Sequence, residues 1–78
     1  MGNNRPVKTK DWLEFLKSKN CKYIRTKASH VHYRCPNCWR TITYREKDKE
    51  IPAFHLKTNL STMGLTLEDL YKWIEENC

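Results

Sequence analysis

The chain has 78 residues and a net charge of +6, with 38% apolar and 31% charged side chains. A chain this short forms one domain and buries only about 60% of its unfolded surface, which excludes a large enzyme with a deep cofactor cleft and a two-domain nucleotide-binding fold. No apolar run reaches the roughly 18 residues of a membrane span, so no membrane association is expected. Residues 1–10 are polar and basic with no apolar segment, unlike a signal peptide, and the expected compartment is the cytoplasm, where thiols stay reduced. The charge is unevenly spread. Residues 1–49 hold 13 basic and 4 acidic side chains, a balance of +9, whereas residues 50–78 hold 2 basic and 5 acidic, a balance of −3. Tyr23, Tyr33, Trp39 and Tyr44 lie among the basic residues, a pairing that suits a nucleic-acid partner.

In chain order, residues 1–8 read as a mobile basic tail and 9–78 as a single domain. A first helix is expected from Thr9, a candidate N-cap, with Asp11 in its first turn. Trp12, Leu13 and Leu16 recur at helical spacing, Phe15 widens the stripe, and Asn20 is a left-handed stop. Lys22–Lys27 reads as a strand, His30–Cys35 as a second, the Cys35-Pro36-Asn37-Cys38 segment as a tight turn, and Arg40–Tyr44 as a third strand. Alternation puts Val31, Tyr33, Ile42 and Tyr44 on a core face and His30, His32, Arg34, Thr41 and Thr43 on a polar one. Residues 45–50 read as a mixed-charge loop, 51–55 as a short extended piece and 57–65 as a connector. Thr66 and Asp69 form a capping pair before a last helix with Leu67, Leu70, Tyr71 and Ile74 at helical spacing. The fold class is α+β: helix-strand-strand-strand-helix, an antiparallel three-stranded sheet with two helices on one face.

The Arg25-Thr26-Lys27-Ala28-Ser29-His30 segment, followed by Pro52 and His55 and by Gly64, Thr66 and Leu67, resembles the HicA-type (YcfA-like) toxins of bacterial toxin–antitoxin systems. Where that family has Arg, two residues, then Gly-Ser-His, this chain has Ala28 in the glycine position, so a backbone needing positive φ there would be strained. The resemblance implies a double-stranded RNA-binding-domain-like fold, metal-independent endoribonuclease action on mRNA, and neutralisation by a HicB-type antitoxin protein. It makes His30 the candidate catalytic residue, a side chain whose ordinary pKa near 6.5 suits proton transfer. Ser29 is a candidate to orient the imidazole, and Arg25, Lys27, His32 and Arg34 are candidates to contact RNA or support the charged phosphate. His55 has a backbone-bonding structural role as its first reading and catalytic assistance as its second.

Cys35 and Cys38 form a CxxC turn, half of a tetrahedral zinc site. Three readings stand: a structural zinc completed by Cys21 and Cys78 of the same chain or of a second one; a reduced thiol pair; and a redox or disulfide role. No cofactor is expected. The alternative function is a non-catalytic nucleic-acid-binding domain with a zinc knuckle, and a further one is an interaction protein that keeps the fold without the chemistry.

Overall fold

The computed structural model describes residues 4–78. Strand β1 (Val7–Lys8) leads into helix α1 (Thr9–Ser18), followed by β2 (Lys22–Lys27), β3 (His30–Arg34), β4 (Ile42–Arg45), β5 (Glu50–Ile51), α2 (Ala53–Thr62) and α3 (Leu67–Asn77). Strands β2, β3 and β4 form the expected antiparallel sheet, with β3 central, and β1 and β5 form a separate two-stranded pair.

The core is built by one stripe of each helix and one face of the sheet. Trp12, Phe15 and Leu16 of α1, Leu56 and Leu60 of α2 and Leu70 of α3 are buried together with Val31, Ile42 and Tyr44. Helix α1 meets α3 through Phe15, whose ring packs edge-on against Trp73 at 5.5 Å. Burial pushes the Tyr44 phenol up to about 12, with neighbouring Tyr33 adding to the effect. Tyr44 therefore stays neutral, as its place between sheet and helices requires.

Both outer helices carry the signals that the chain shows in advance. Thr66 and Asp69 form a reciprocal capping box at the start of α3, and the two bonds from Thr66 hold the Asp69 carboxyl below the usual carboxylate range. Asn20 adopts a left-handed φ of 63° after α1. The Asn20 N–H then donates to the Lys17 carbonyl and the Cys21 N–H to the Leu16 carbonyl, which closes the helix end.

Three expectations are corrected. Thr9 does not cap α1: the N-cap is Lys8, and no side chain satisfies it. The Thr9 hydroxyl donates instead to the Asp48 carbonyl at 2.6 Å, and its N–H donates to the Lys49 carbonyl, tying α1 to the loop after β4. The mobile tail over residues 1–8 does not extend to its inner end. Val7 is buried and pairs with Ile51, Lys8 pairs with Glu50, and Arg5 exchanges two backbone bonds with the Tyr71 hydroxyl while its guanidinium lies over that ring. Residues 1–3 of that tail lie outside the described residues.

The third correction matters most. Residues 53–62, expected as extended chain and connector, form helix α2. Leu56 and Leu60 bury one side of it, one turn apart. It ends at Gly64, whose φ of +75° lets its own N–H reach the Ser61 carbonyl and the Leu65 N–H reach Leu60. The helix lies along the free edge of β4. There Asn59, buried, presents its side-chain amide to the backbone of Thr43 as a neighbouring strand would. The Thr43 N–H donates to Asn59 Oδ1 at 3.4 Å, and Asn59 Nδ2 donates to the Thr43 carbonyl at 2.9 Å. An open strand edge is thereby closed by one side chain.

Substituting Asn59→Ala would strip both partners from Thr43 and is expected to cost about 2 kcal/mol, which for a domain of this size lowers Tm by roughly 8–16 °C. Thermal unfolding followed by circular dichroism checks this, and an Asn59→Ala protein as stable as the parent would contradict the edge-closing role.

Candidate functional site

The β2–β3 hairpin turns at Ala28 and Ser29, between the paired residues Lys27 and His30. Ala28 has φ of 55°, and Ser29 is not in the positive-φ region. A two-residue turn with positive φ at its first central position favours glycine there. The strain expected of alanine at this point is thus present in the fold, immediately before His30. Ser29 accepts a bond at its carbonyl from the Glu46 N–H at 2.8 Å, which fastens the turn to the end of β4.

Register then assembles the polar face. A bulge in β2 shifts the pairing between Tyr23, opposite Tyr33, and Arg25, opposite His32. Tyr23 joins the aromatic side, its ring 5.8 Å from Tyr33, while Arg25 and Lys27 point to the other face with the histidines. Three rows cross the sheet: Lys27, His30 and Arg45; Arg25, His32 and Thr43; and Lys22 beside Arg34. Directly paired residues have Cβ atoms about 4.5–5.5 Å apart, so His30 sits between two cations. His30 is exposed, whereas His32 is half-buried with its Nδ1 3.0 Å from the Thr43 hydroxyl. The six residues singled out in the sequence therefore fall into two groups. Arg25, Lys27, His30, His32 and Arg34 share one sheet face, and Ser29 occupies the turn at its end.

Helix α2 extends this face into a groove. Between β4 and α2 runs a cavity of about 360 Å³ whose lining includes His30, Arg40, Thr43, Arg45, His55 and Thr62. The α2 residues that line it, His55, Thr58, Asn59 and Thr62, recur at helical spacing on one side. Arg40 closes one end, its Nε 3.2 Å from the Thr62 hydroxyl. Among the described residues no carboxylate lines the groove. His30 and His55 thus line one cation-flanked space.

His55, Arg40 and Arg45 are the site residues that reading the sequence did not bring together. His55 lines the groove, with its ring edge-on to Phe54 and the ring centroids 4.3 Å apart. The signal for it was the Pro52 start and the Leu56, Leu60 and Gly64 pattern of α2, which put His55 one turn before Asn59.

The structure joins one cysteine of the CxxC turn to a cysteine outside it. Cys21 and Cys35 are joined in a disulfide, and Cys38 and Cys78 are free. Extending the β2–β3 register by one residue beyond Lys22 and Arg34 brings Cys21 opposite Cys35, which is why this pair and not the CxxC pair meets. Both are buried, so the two sulfurs pack as part of the core. With Cys35 bonded to Cys21, the CxxC turn has one free thiol, Cys38. Among the described residues no cluster of three or more metal-ligating side chains occurs. Likewise, none of their helices is long and apolar enough to cross a membrane.

Compared with protein-family models, with curated proteins and with solved structures, the chain returns no match.

Replacing Ala28 by glycine relieves the left-handed strain, about 1–2 kcal/mol, against the added freedom of the unfolded chain. A net gain of about 0.5–1 kcal/mol is expected, measured as a Tm raised by roughly 2–8 °C. A lower Tm for Ala28→Gly would show that the turn carries no such strain.

Proposed function

We propose that this protein is an endoribonuclease of the HicA type, acting on mRNA and held inactive by a HicB-like protein partner that covers the groove. The observation that carries the reading is that His30 and His55 line one groove flanked by cations. Cleavage of RNA by its own 2′-hydroxyl needs two proton transfers. One group takes the 2′-hydroxyl proton as the oxygen attacks phosphorus, and another gives a proton to the departing 5′-oxygen as the P–O5′ bond breaks. His30 is assigned the first transfer and His55 the second. Lys27 and Arg45, paired on either side of His30, meet the negative charge that grows on the phosphoryl oxygens. Arg25, Arg34 and Lys22, further along the same face, bind the strand beyond the cleavage point and give the binding its salt dependence. The route needs no metal and no organic cofactor.

The remaining residues support this core. The hydrogen bond between His32 and Thr43 keeps the second histidine of β3 turned into the sheet, so it acts as a contact for RNA and as a spacer. Ser29 fixes the turn from which His30 projects. The zinc-knuckle reading draws no support from the thiols, because Cys35 is engaged with Cys21.

Removing a general acid or base typically costs 10²–10⁴-fold in rate. His30→Ala is therefore expected to lower cleavage of single-stranded RNA by that factor while the circular dichroism spectrum stays that of the parent, since His30 is exposed. Equal cleavage by parent and variant would remove His30 from the chemistry. A parent that binds RNA without cutting it would leave the non-catalytic binding reading in its place.

A further inference from the structure

Among the described residues, four large apolar or aromatic side chains are exposed: Tyr23, Ile24, Trp39 and Phe54. Trp39 and Phe54 are the most open, at 75% and 68%. Neither lines the cavity between β4 and α2, but each is next in sequence to a residue that does, Trp39 to Arg40 and Phe54 to His55. Trp39 lies under the Arg40 guanidinium, 4.6 Å from its ring centroid, and Arg40 is anchored to Thr62 at the C-terminal end of α2. Phe54 lies at the N-terminal end of α2, its ring against His55. Between them lie Arg40, in the bend before β4, and Arg45, at the end of β4, both lining the cavity. The walls between are hydroxyl-bearing, from Thr43, Thr58 and Thr62.

We propose that this groove is a track for single-stranded RNA, in which Trp39 and Phe54 stack unpaired bases while Arg40 and Arg45 hold the intervening phosphates. The proposal rests on the RNA reading of the same site and adds the form of the RNA and the residues that select it. Flat aromatic rings left open to solvent beside cations bind any unpaired base through its π-face. In a duplex those faces are occupied by neighbouring base pairs, so exposed aromatics beside the groove discriminate against paired RNA. Threonine hydroxyls of the lining serve ribose and phosphate oxygens without sequence preference. No carboxylate of the described residues lines the cavity, and the Asp48 carboxylate lies 3.9 Å from Arg45 Nε.

Binding is measured by fluorescence anisotropy with the full chain and a labelled 2′-O-methyl single strand, which cannot be cut by its own 2′-oxygen. Trp39→Ala and Phe54→Ala are each expected to weaken binding about 5- to 150-fold, the range for loss of one base–aromatic stack. Tyr23→Ala, an equally drastic loss of an exposed aromatic on the far strand, is expected to bind as the parent does. A duplex of the same sequence is expected to bind more weakly than the single strand. The proposal is overturned if Trp39→Ala and Phe54→Ala both bind within twofold of the parent, if the duplex binds more tightly, or if the parent binds neither. Because the probe is uncleavable, the two readings separate. Stacking-dependent binding without cleavage of unmodified RNA sinks the ribonuclease and keeps the track. Cleavage indifferent to Trp39 and Phe54 does the reverse.

Discussion

The rest of this structure depends on the pair of hydrogen bonds between the Asn59 side chain and the backbone of Thr43. A three-stranded sheet has two open edges, each a row of unpaired donors and acceptors. Here one edge, β4, is closed by a helix in place of another strand, and the helix is held there by an amide that reproduces the donor and acceptor of a strand neighbour. Leu56 and Leu60 supply the burial that keeps α2 on the core, but burial alone does not fix where along the strand it sits. Asn59 sets that register. It thereby sets which α2 side chains stand opposite Arg40, Thr43 and Arg45. The groove is the gap left when a helix, wider than a strand, takes a strand's place.

Charge follows from the same arrangement. Five of the thirteen basic residues of positions 1–49 are gathered on one face of the sheet. Register gathers Lys22, Arg25, Lys27, Arg34 and Arg45 onto one face, and the bulge in β2 turns Tyr23 away so that Arg25 and Lys27 stand beside the histidines. The acidic excess of residues 50–78 falls largely on α3, whose apolar side packs on α1 and whose Glu68, Glu75 and Glu76 are exposed.

Much of this was legible in the chain itself. The α1 stripe, the left-handed Asn20, the three strands with their face assignments and the Thr66–Asp69 box are local signals, and the fold keeps each of them. The misreadings share a cause: they concern contacts between segments far apart in sequence. Thr9 has every mark of a helix cap, but its hydroxyl is drawn to Asp48, 39 residues on. Val7 looks like tail until Ile51 is beside it. Helix α2 is rich in threonine, serine and asparagine, residues of poor helix propensity, and its helical form is fixed by Leu56 and Leu60 against the core and by Asn59 on the strand edge. The site was half visible for the same reason. His30 and its strand neighbours follow from alternation, whereas His55 and the groove exist only once α2 is recognised. Cys21 and Cys35 show the same limit: a CxxC spacing draws the eye to Cys38, while the hairpin register brings Cys21 to Cys35.

The central claim is that the groove between β4 and α2 directs two imidazoles at a ribose 2′-hydroxyl and its adjacent phosphate. The most direct test is the chemistry of the ends produced from a defined single-stranded RNA and from the same strand with one deoxyribose at the cleaved position. Attack by the 2′-oxygen predicts a 2′,3′-cyclic phosphate on one fragment, a free 5′-hydroxyl on the other, and no cutting at the deoxyribose. A 5′-phosphate end, or unchanged cutting at the deoxyribose, would contradict it.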